Sequence, residues 1–287
     1  MQIPKIIKIA SPLQSVVNTL NKASDLVKKD GIDLQVTKVN YYTEGTDLIS
    51  SGKVDGIIYF NIHVVNYHNE ILKTNNKEMF EYVQAFYYSK YGLYINKNRN
   101  PVLKDLEDVK KHSNLKVLLA VAFSYIGPCD TPRSLVLLNK LGLIKIDPKV
   151  LQEKKFGISF ADIQNPYNLE FIKASQTPDK FAQNPQKYDL MVNWPAFMNP
   201  YPDFFRIGAI IEGNEEPTDD FIASYAIGLS CLKSHKDSEQ IKTFKAILNN
   251  PKVKAFHLQE GGVQQDYVMV KDPEKTTKHL KELWLQH

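Results

Sequence analysis

The stretch GPCDTPRSLVLLNKLGLIKI, residues 127 to 146, carries Thr131, Pro132 and Arg133 just ahead of a helical spacing of Leu135, Leu138 and Leu141. That spacing predicts a helix, with Thr131 as its cap and Pro132 at its first position. A helix start leaves backbone N–H groups unpaired and points the positive end of the peptide dipoles outward, so it attracts anions. A guanidinium at the same place adds a planar fork of donors matched to a carboxylate or a phosphate. The chemistry implied is anion recognition. On this stretch alone, a capped helix carrying a solvated arginine is the simpler reading.

Other motifs add little. The chain has no Gly-rich dinucleotide or phosphate loop, no Gly-x-Ser-x-Gly elbow, no His-Glu-x-x-His, no Cys-x-x-Cys and no calcium loop. His63 and His68 are spaced by five, which splays their rings around a helix where a spacing of four would stack them, and no third ligand is near. No metal and no cofactor are expected. The two cysteines, Cys129 and Cys231, have neither metal nor redox spacing. The acidic loop EEPTDDF reads as solvated.

With 287 residues, 43% of them hydrophobic and 24% charged, the chain is long enough for about two globular domains and too apolar for extended disorder. A net charge of +4 from scattered lysine pairs makes no basic stripe, which argues against a nucleic-acid partner. The longest apolar run, Val117 to Phe123, is far too short to cross a bilayer. The opening MQIPKIIKIAS is not expected to act as a signal peptide, because lysines break its apolar stretch and no small-residue cleavage site follows.

Elements able to position an anion site emerge from the alternation along the chain. KIIKIA reads as a strand, followed by a helix over residues 12–31 with Leu13, Val16, Val17, Leu20 and Val27 on one face and Gly31 ending it. IDLQV is a second strand, GTDLISSG a short helix, and VDGIIYFNI a buried third strand. Such a strand–helix opening predicts an α/β layer with a mainly parallel sheet. FEYVQAFYYSKYGLYIN reads as extended chain, and alternation restarts with LKDLEDVKKHSNLKVLLAVAF. It continues through the Arg133 helix, NLEFIKAS, a short helix at TPDKFAQ, and YDLMVNW. One more strand, SYAIGLSCL, precedes two helices, the first capped by Asp237 or Ser238 and the second started by Pro251.

Ligands of α/β lobes settle beyond the carboxyl ends of strands. Ser11, the stretch Tyr59, Phe60 and Asn61 running on to His63, the stretch from Asp130 to Arg133, and Asn193 all fall there. Should two lobes face each other, Arg133 and Asn193 would line one jaw and Tyr59, Phe60 and Asn61 the other. The set suits an amino-acid-like ligand, with its carboxylate on Arg133 and its side chain against the rings. For each aromatic, plain strand core is an equal alternative.

From about residue 40 to residue 260 the sequence resembles the NlpA-type lipoproteins, the substrate-binding subunits of methionine ABC importers. The resemblance rests on YYTEGTDLISSGKVDG, YGLYINK, PRSLVLLNKLGLIKI, FADIQNPYNLEFI, YDLMVNWPAF and FKAILNNPKVKAF. It implies an α/β fold, a two-lobed clamshell like that of periplasmic binding proteins. Linkers would cross near residues 91 and 226, so that one lobe is 1–90 plus 227–287 and the other 91–226. It also implies an extracytoplasmic protein, held at the membrane surface by a lipidated N-terminal cysteine and delivering its ligand to an ABC permease. That cysteine is absent here, so the segment bearing it is expected to have been lost from the sequence as given.

Carried over by position, Arg133 matches the family's carboxylate arginine, Asn193 its ligand asparagine, Tyr42 its tyrosine before the short helix, and Tyr59 one of the aromatics that pack on the methionine side chain. Departures are clear. The family's Phe-Gln-His reads Tyr59-Phe60-Asn61 in a gapless match, so its histidine is missing unless His63 substitutes; its asparagine three positions before the arginine is Asp130, and its early Pro-Gly-Pro-His is reduced to SPLQS, beginning at Ser11. An aspartate there could pair with a ligand ammonium or with Arg133 itself. The leading expectation is a solute-binding protein for a small zwitterion, with replacement of Arg133 leaving the melting temperature of the free protein nearly unchanged. The alternative is an enzyme on the same scaffold that acts on a small anionic metabolite through Asp130. Without a catalytic constellation around Arg133, the enzyme reading is the weaker.

Overall fold

The computed structural model describes residues 5–40, 42–120, 130–174 and 177–284. Cys129, the end of the apolar run at residues 121–123 and the side chain of Tyr42 lie outside the described residues. The chain divides into two units, residues Met1–Ser89 with Asn214–His287, and residues Lys90–Gly213.

In the first unit, β1 (Lys5–Ser11), α1 (Gln14–Val27), β2 (Ile32–Lys38), α2 (Tyr42–Ser50), β3 (Gly56–Phe60), α3 (Ile62–Thr74) and β4 (Phe80–Ser89) follow in order. The apolar stripe of α1 behaves as its spacing requires: Leu13, Val16, Val17, Leu20 and Val27 are all buried. Gly31, at φ 73°, terminates the turn after α1 in the left-handed region that glycine adopts without strain.

The second unit carries β5 (Gly92–Asn96), α4 (Leu106–Val109), β6 (Lys116–Ala120), α5 (Asp130–Lys140), β7 (Lys145–Ile146), α6 (Pro148–Lys154) and β8 (Ile163–Gln164). It continues with β9 (Glu170–Ala174), α7 (Thr177–Gln183), β10 (Leu190–Asn193), α8 (Pro195–Met198) and β11 (Phe204–Ala209). The chain then completes the first unit with α9 (Asp220–Ala223), β12 (Ile227–Leu232), α10 (Glu239–Asn249), α11 (Pro251–Glu260), β13 (Tyr267–Met269) and α12 (Pro273–Trp284). Ser238 caps α10 by accepting from the Ile241 N–H, and Pro251 opens α11.

Both larger sheets are mixed, which corrects the expectation of mainly parallel pairing. The first has the order β13-β4-β12-β3-β1-β2; β3, β1 and β2 run parallel, whereas β12 and β13 pair antiparallel. A strand from the far end of the chain, β12, inserts between β3 and β4, an arrangement invisible to a reading of consecutive elements. The second sheet has the order β11-β5-β10-β6-β9, with β5 antiparallel to both neighbours. The aromatic extended stretch is therefore two strands in two sheets, β4 and β5.

The return crossing also falls earlier than residue 226. Residues 214–226 are bonded into the first unit. Asn214 donates to Gln265 at 2.9 Å, Asp220 pairs with His279 at 2.8 Å, and Tyr82 Oη donates to the Ala226 carbonyl at 3.0 Å.

Gly92 on β5 pairs with Asn193 and faces a crowded spot. A Cβ there would lie 2.3 Å from Arg206 Cδ and 2.7 Å from the Gly208 carbonyl oxygen, and backbone cannot move aside as a side chain can. Gly92→Ala is expected to cost on the order of 1–3 kcal/mol, read as a lowered midpoint in urea with unchanged slope. An unchanged midpoint would show that the β5–β11 edge yields freely.

Candidate functional site

Arg133 is buried to 1% exposure in the first turn of α5, so the solvated-arginine reading fails. The helix begins at Asp130, which places Thr131 inside the first turn and not at the cap. Of the 36 basic residues only Arg99, Arg133 and Arg206 are arginines; Arg99 is held in an ion pair with Asp189 at 2.7 Å. The guanidinium of Arg133 packs on two rings, with Cζ 3.7 Å from the Trp194 ring centre and 4.2 Å from that of Tyr91. Cationic planes over aromatic faces are attracted by the ring quadrupole, more strongly when dry.

Hydrogen bonds fix the surroundings. Ser134 Oγ donates its one proton to the Asp130 carbonyl at 2.8 Å, so it accepts from Tyr91 Oη, also at 2.8 Å. Asn193 ends β10, and its Oδ1 accepts from the Trp194 N–H at 2.8 Å. Asp130 keeps some exposure as a residue, yet burial of its carboxyl pushes the pKa up to about 6, with the Arg133 charge opposing that rise. Arg133, Asp130 and Asn193 are thus brought together within the second unit, along with Tyr91 and Trp194, which sequence reasoning missed. Both lie inside stretches that carry the family resemblance, YGLYINK and YDLMVNWPAF, as aromatics beside a strand start and a strand end.

In the first unit the other candidates hold structural contacts. Tyr59 and Phe60 stay in contact, with ring centres 4.3 Å apart and planes inclined at 67°. Phe60 is fully buried, stacked on His68 at 5.1 Å and near Phe80 at 6.2 Å, so it belongs to the core. Tyr59 turns toward α2, where its hydroxyl approaches Gly45 so closely that a Cβ there would lie 2.3 Å away. Tyr42 is the first residue of that same helix.

Asn61 caps α3, a helix not anticipated from sequence, by accepting from the Val64 N–H at 3.1 Å. Ser11 is fully buried; its hydroxyl donates to the Ile58 carbonyl at 2.6 Å and accepts from the Leu13 N–H at 3.1 Å. Those bonds make Ser11 a tie between β1, β3 and the start of α1. His63 meets Ser224 at 2.8 Å while His68 sits in the aromatic cluster, so the pair does not converge. Among the described residues no group of three or more His, Cys, Asp or Glu is placed to hold a metal ion, and no helix is long and apolar enough to cross a membrane.

The NlpA lipoprotein family model matches residues 7–269. The chain belongs to the NlpA lipoprotein family. No curated protein matches it significantly. Solved structures share the fold at low identity. One is a lipoprotein of Bacillus subtilis, with 23% identity, a TM-score of 0.70, and coverage of 93% of this chain and 99% of that one. Another is an ABC transporter periplasmic substrate-binding protein of Coxiella burnetii, with 14% identity, a TM-score of 0.66, and coverage of 92% and 100%. A third is the methionine-binding protein MetQ, with 19% identity, a TM-score of 0.65, and coverage of 92% and 98%. This member of the NlpA family therefore has the α/β fold of periplasmic substrate-binding proteins.

Proposed function

We propose that this chain is the substrate-binding protein of an ABC importer and captures a small amino-acid-like ligand, methionine or a relative, at the head of α5. The observation that carries this reading is the buried Arg133 guanidinium, held on two rings in the first turn of a helix, where a carboxylate is favoured by fork and dipole together. Family membership and the likeness to MetQ support it. The partners implied are an ABC permease and, through a lipid anchor, the outer face of the cell membrane.

Asp130, three residues before Arg133, supplies the negative charge that a ligand ammonium requires. The pair would read a zwitterion: carboxylate on Arg133, ammonium toward Asp130. Protonating Asp130 removes that counter-charge, so affinity falls as pH drops through about 6. Calorimetry with L-methionine should show Kd rising by up to about tenfold from pH 7.5 to pH 5, and a flat profile for Asp130→Asn. Tighter binding at pH 5 would mean that Asp130 competes for Arg133.

The ligand class is tested by denaturing freshly purified protein and identifying the released small molecules by mass spectrometry. Recovery of an amino acid or a short peptide supports the reading. Stoichiometric recovery of a sugar, a nucleotide or a metal ion sinks it.

A further inference from the structure

We propose that Trp194 and Tyr91 are positioning residues: they fix the Arg133 guanidinium in one orientation so that its in-plane donors are aligned before an anion arrives. The proposal rests on the reading of Arg133 as the carboxylate-binding group, and it gives a role to two aromatics that the sequence alone did not single out.

Trp194 and Tyr91 have ring centres 5.6 Å apart and planes inclined at 76°. Taken with the distances of 3.7 Å and 4.2 Å to Arg133 Cζ, the two centres lie close to a right angle apart as seen from the guanidinium. The group therefore sits in an aromatic corner, not in a sandwich. A single stacked ring fixes the tilt of a guanidinium but lets it turn about the stacking axis; a second ring at a right angle blocks that turn as well.

Both residues are themselves held, Tyr91 by its hydroxyl and Trp194 by its backbone. Tyr91 is fully buried and bonded through Ser134 to the backbone of α5, the helix that carries Arg133. The backbone of Trp194 is held by its own amide N–H donating to Asn193 Oδ1 and by Pro195, whose ring restricts the backbone at the start of α8. In this arrangement Asn193 acts on the site through Trp194. A lysine, with no planar π-face, would gain no orientation from such a corner, which fits the use of one of only three arginines here.

Three arginines make the test direct, because the Nε–Hε NMR spectrum holds three side-chain signals and Arg133→Lys identifies the one concerned. In the wild type, Arg133 Hε should be shifted by the ring currents and its Nε motionally restricted. In Trp194→Leu the shift should collapse and the motion become fast, while Trp194→Phe should retain most of both. The Kd for L-methionine should rise about 3- to 30-fold in Trp194→Leu and be largely restored in Trp194→Phe, the range expected for one desolvated cation–π contact. If Trp194→Leu does not fold, Trp194→Phe against wild type carries the comparison.

The proposal is overturned if Arg133 Nε stays as restricted in Trp194→Leu as in the wild type. It is equally overturned if Nε is freed and L-methionine still binds with unchanged affinity. Should the wild type bind no L-methionine while Trp194→Leu frees the arginine, the positioning role stands and the methionine reading is what fails.

Discussion

Arg133→Ala is expected to weaken capture of an amino-acid ligand by roughly tenfold to several hundredfold, since a charge-assisted hydrogen bond is worth about 1.5–3 kcal/mol and each ~1.4 kcal/mol is tenfold. Titration calorimetry against L-methionine, other apolar amino acids and short methionine peptides measures it. A variant that binds any of these as tightly as the wild type removes Arg133 from the site. Stability should change too, contrary to what a surface arginine would predict. The side chain is 1% exposed and fills the corner between Tyr91 and Trp194, so truncation leaves that corner unpacked and should cost on the order of 1–3 kcal/mol. Arg133→Lys separates charge from shape: it keeps the cation but loses the fork, and most of the binding loss should remain.

Acid is expected to destabilise the first unit through His257. This histidine of α11 is fully buried among Tyr87 at 4.1 Å, Tyr267 at 4.6 Å and Phe86 at 5.1 Å. Thr19 Oγ1 gives its proton to the Ser15 carbonyl at 2.8 Å, so the 2.9 Å contact with His257 Nδ1 requires the proton to sit on that nitrogen. His257 Nε2 is then a bare acceptor, with no hydrogen-bond partner among the described residues.

Burial in this aromatic setting pushes the His257 pKa down to about 3. An unfolded histidine takes up its proton near pH 6.5, and the folded one only near 3. Between those values the unfolded chain holds more protons, so stability falls as pH falls through that window, by ~3 kcal/mol at about pH 4.5 relative to neutrality. Urea unfolding at a series of pH values should show this slope in the wild type, and a slope shallower by up to one proton in His257→Phe. Equal slopes in the two proteins would mean that His257 is already charged, or that its box opens to water.

Local features of this chain were written in local sequence. The stripe of α1, its glycine stop, the Ser238 cap and the Pro251 start follow from side-chain period and backbone chemistry within a few residues, and each sits where the spacing puts it. An arginine in the first turn of α5 and an amide at the end of β10 were equally legible, because helix starts and strand ends are where an α/β fold gathers a site. Helix α3 was not, since Asn61 ends a strand-like run and only its capping bond reveals the turn.

Long-range facts had no such signal. Insertion of β12 between β3 and β4 pairs residues far apart in the chain, and sheet order is decided by total burial that no window of sequence samples. The same holds for two neighbours whose rings touch: packing around β3 decides that Phe60 stacks on His68 while the Tyr59 hydroxyl reaches α2. Tyr91 and Trp194 are separated in sequence by six strands and four helices, β5 to β10 and α4 to α7, and each looks like ordinary core. Only the pairing of β5 with β10 brings their rings to one guanidinium, where packing turns a charge into an oriented one.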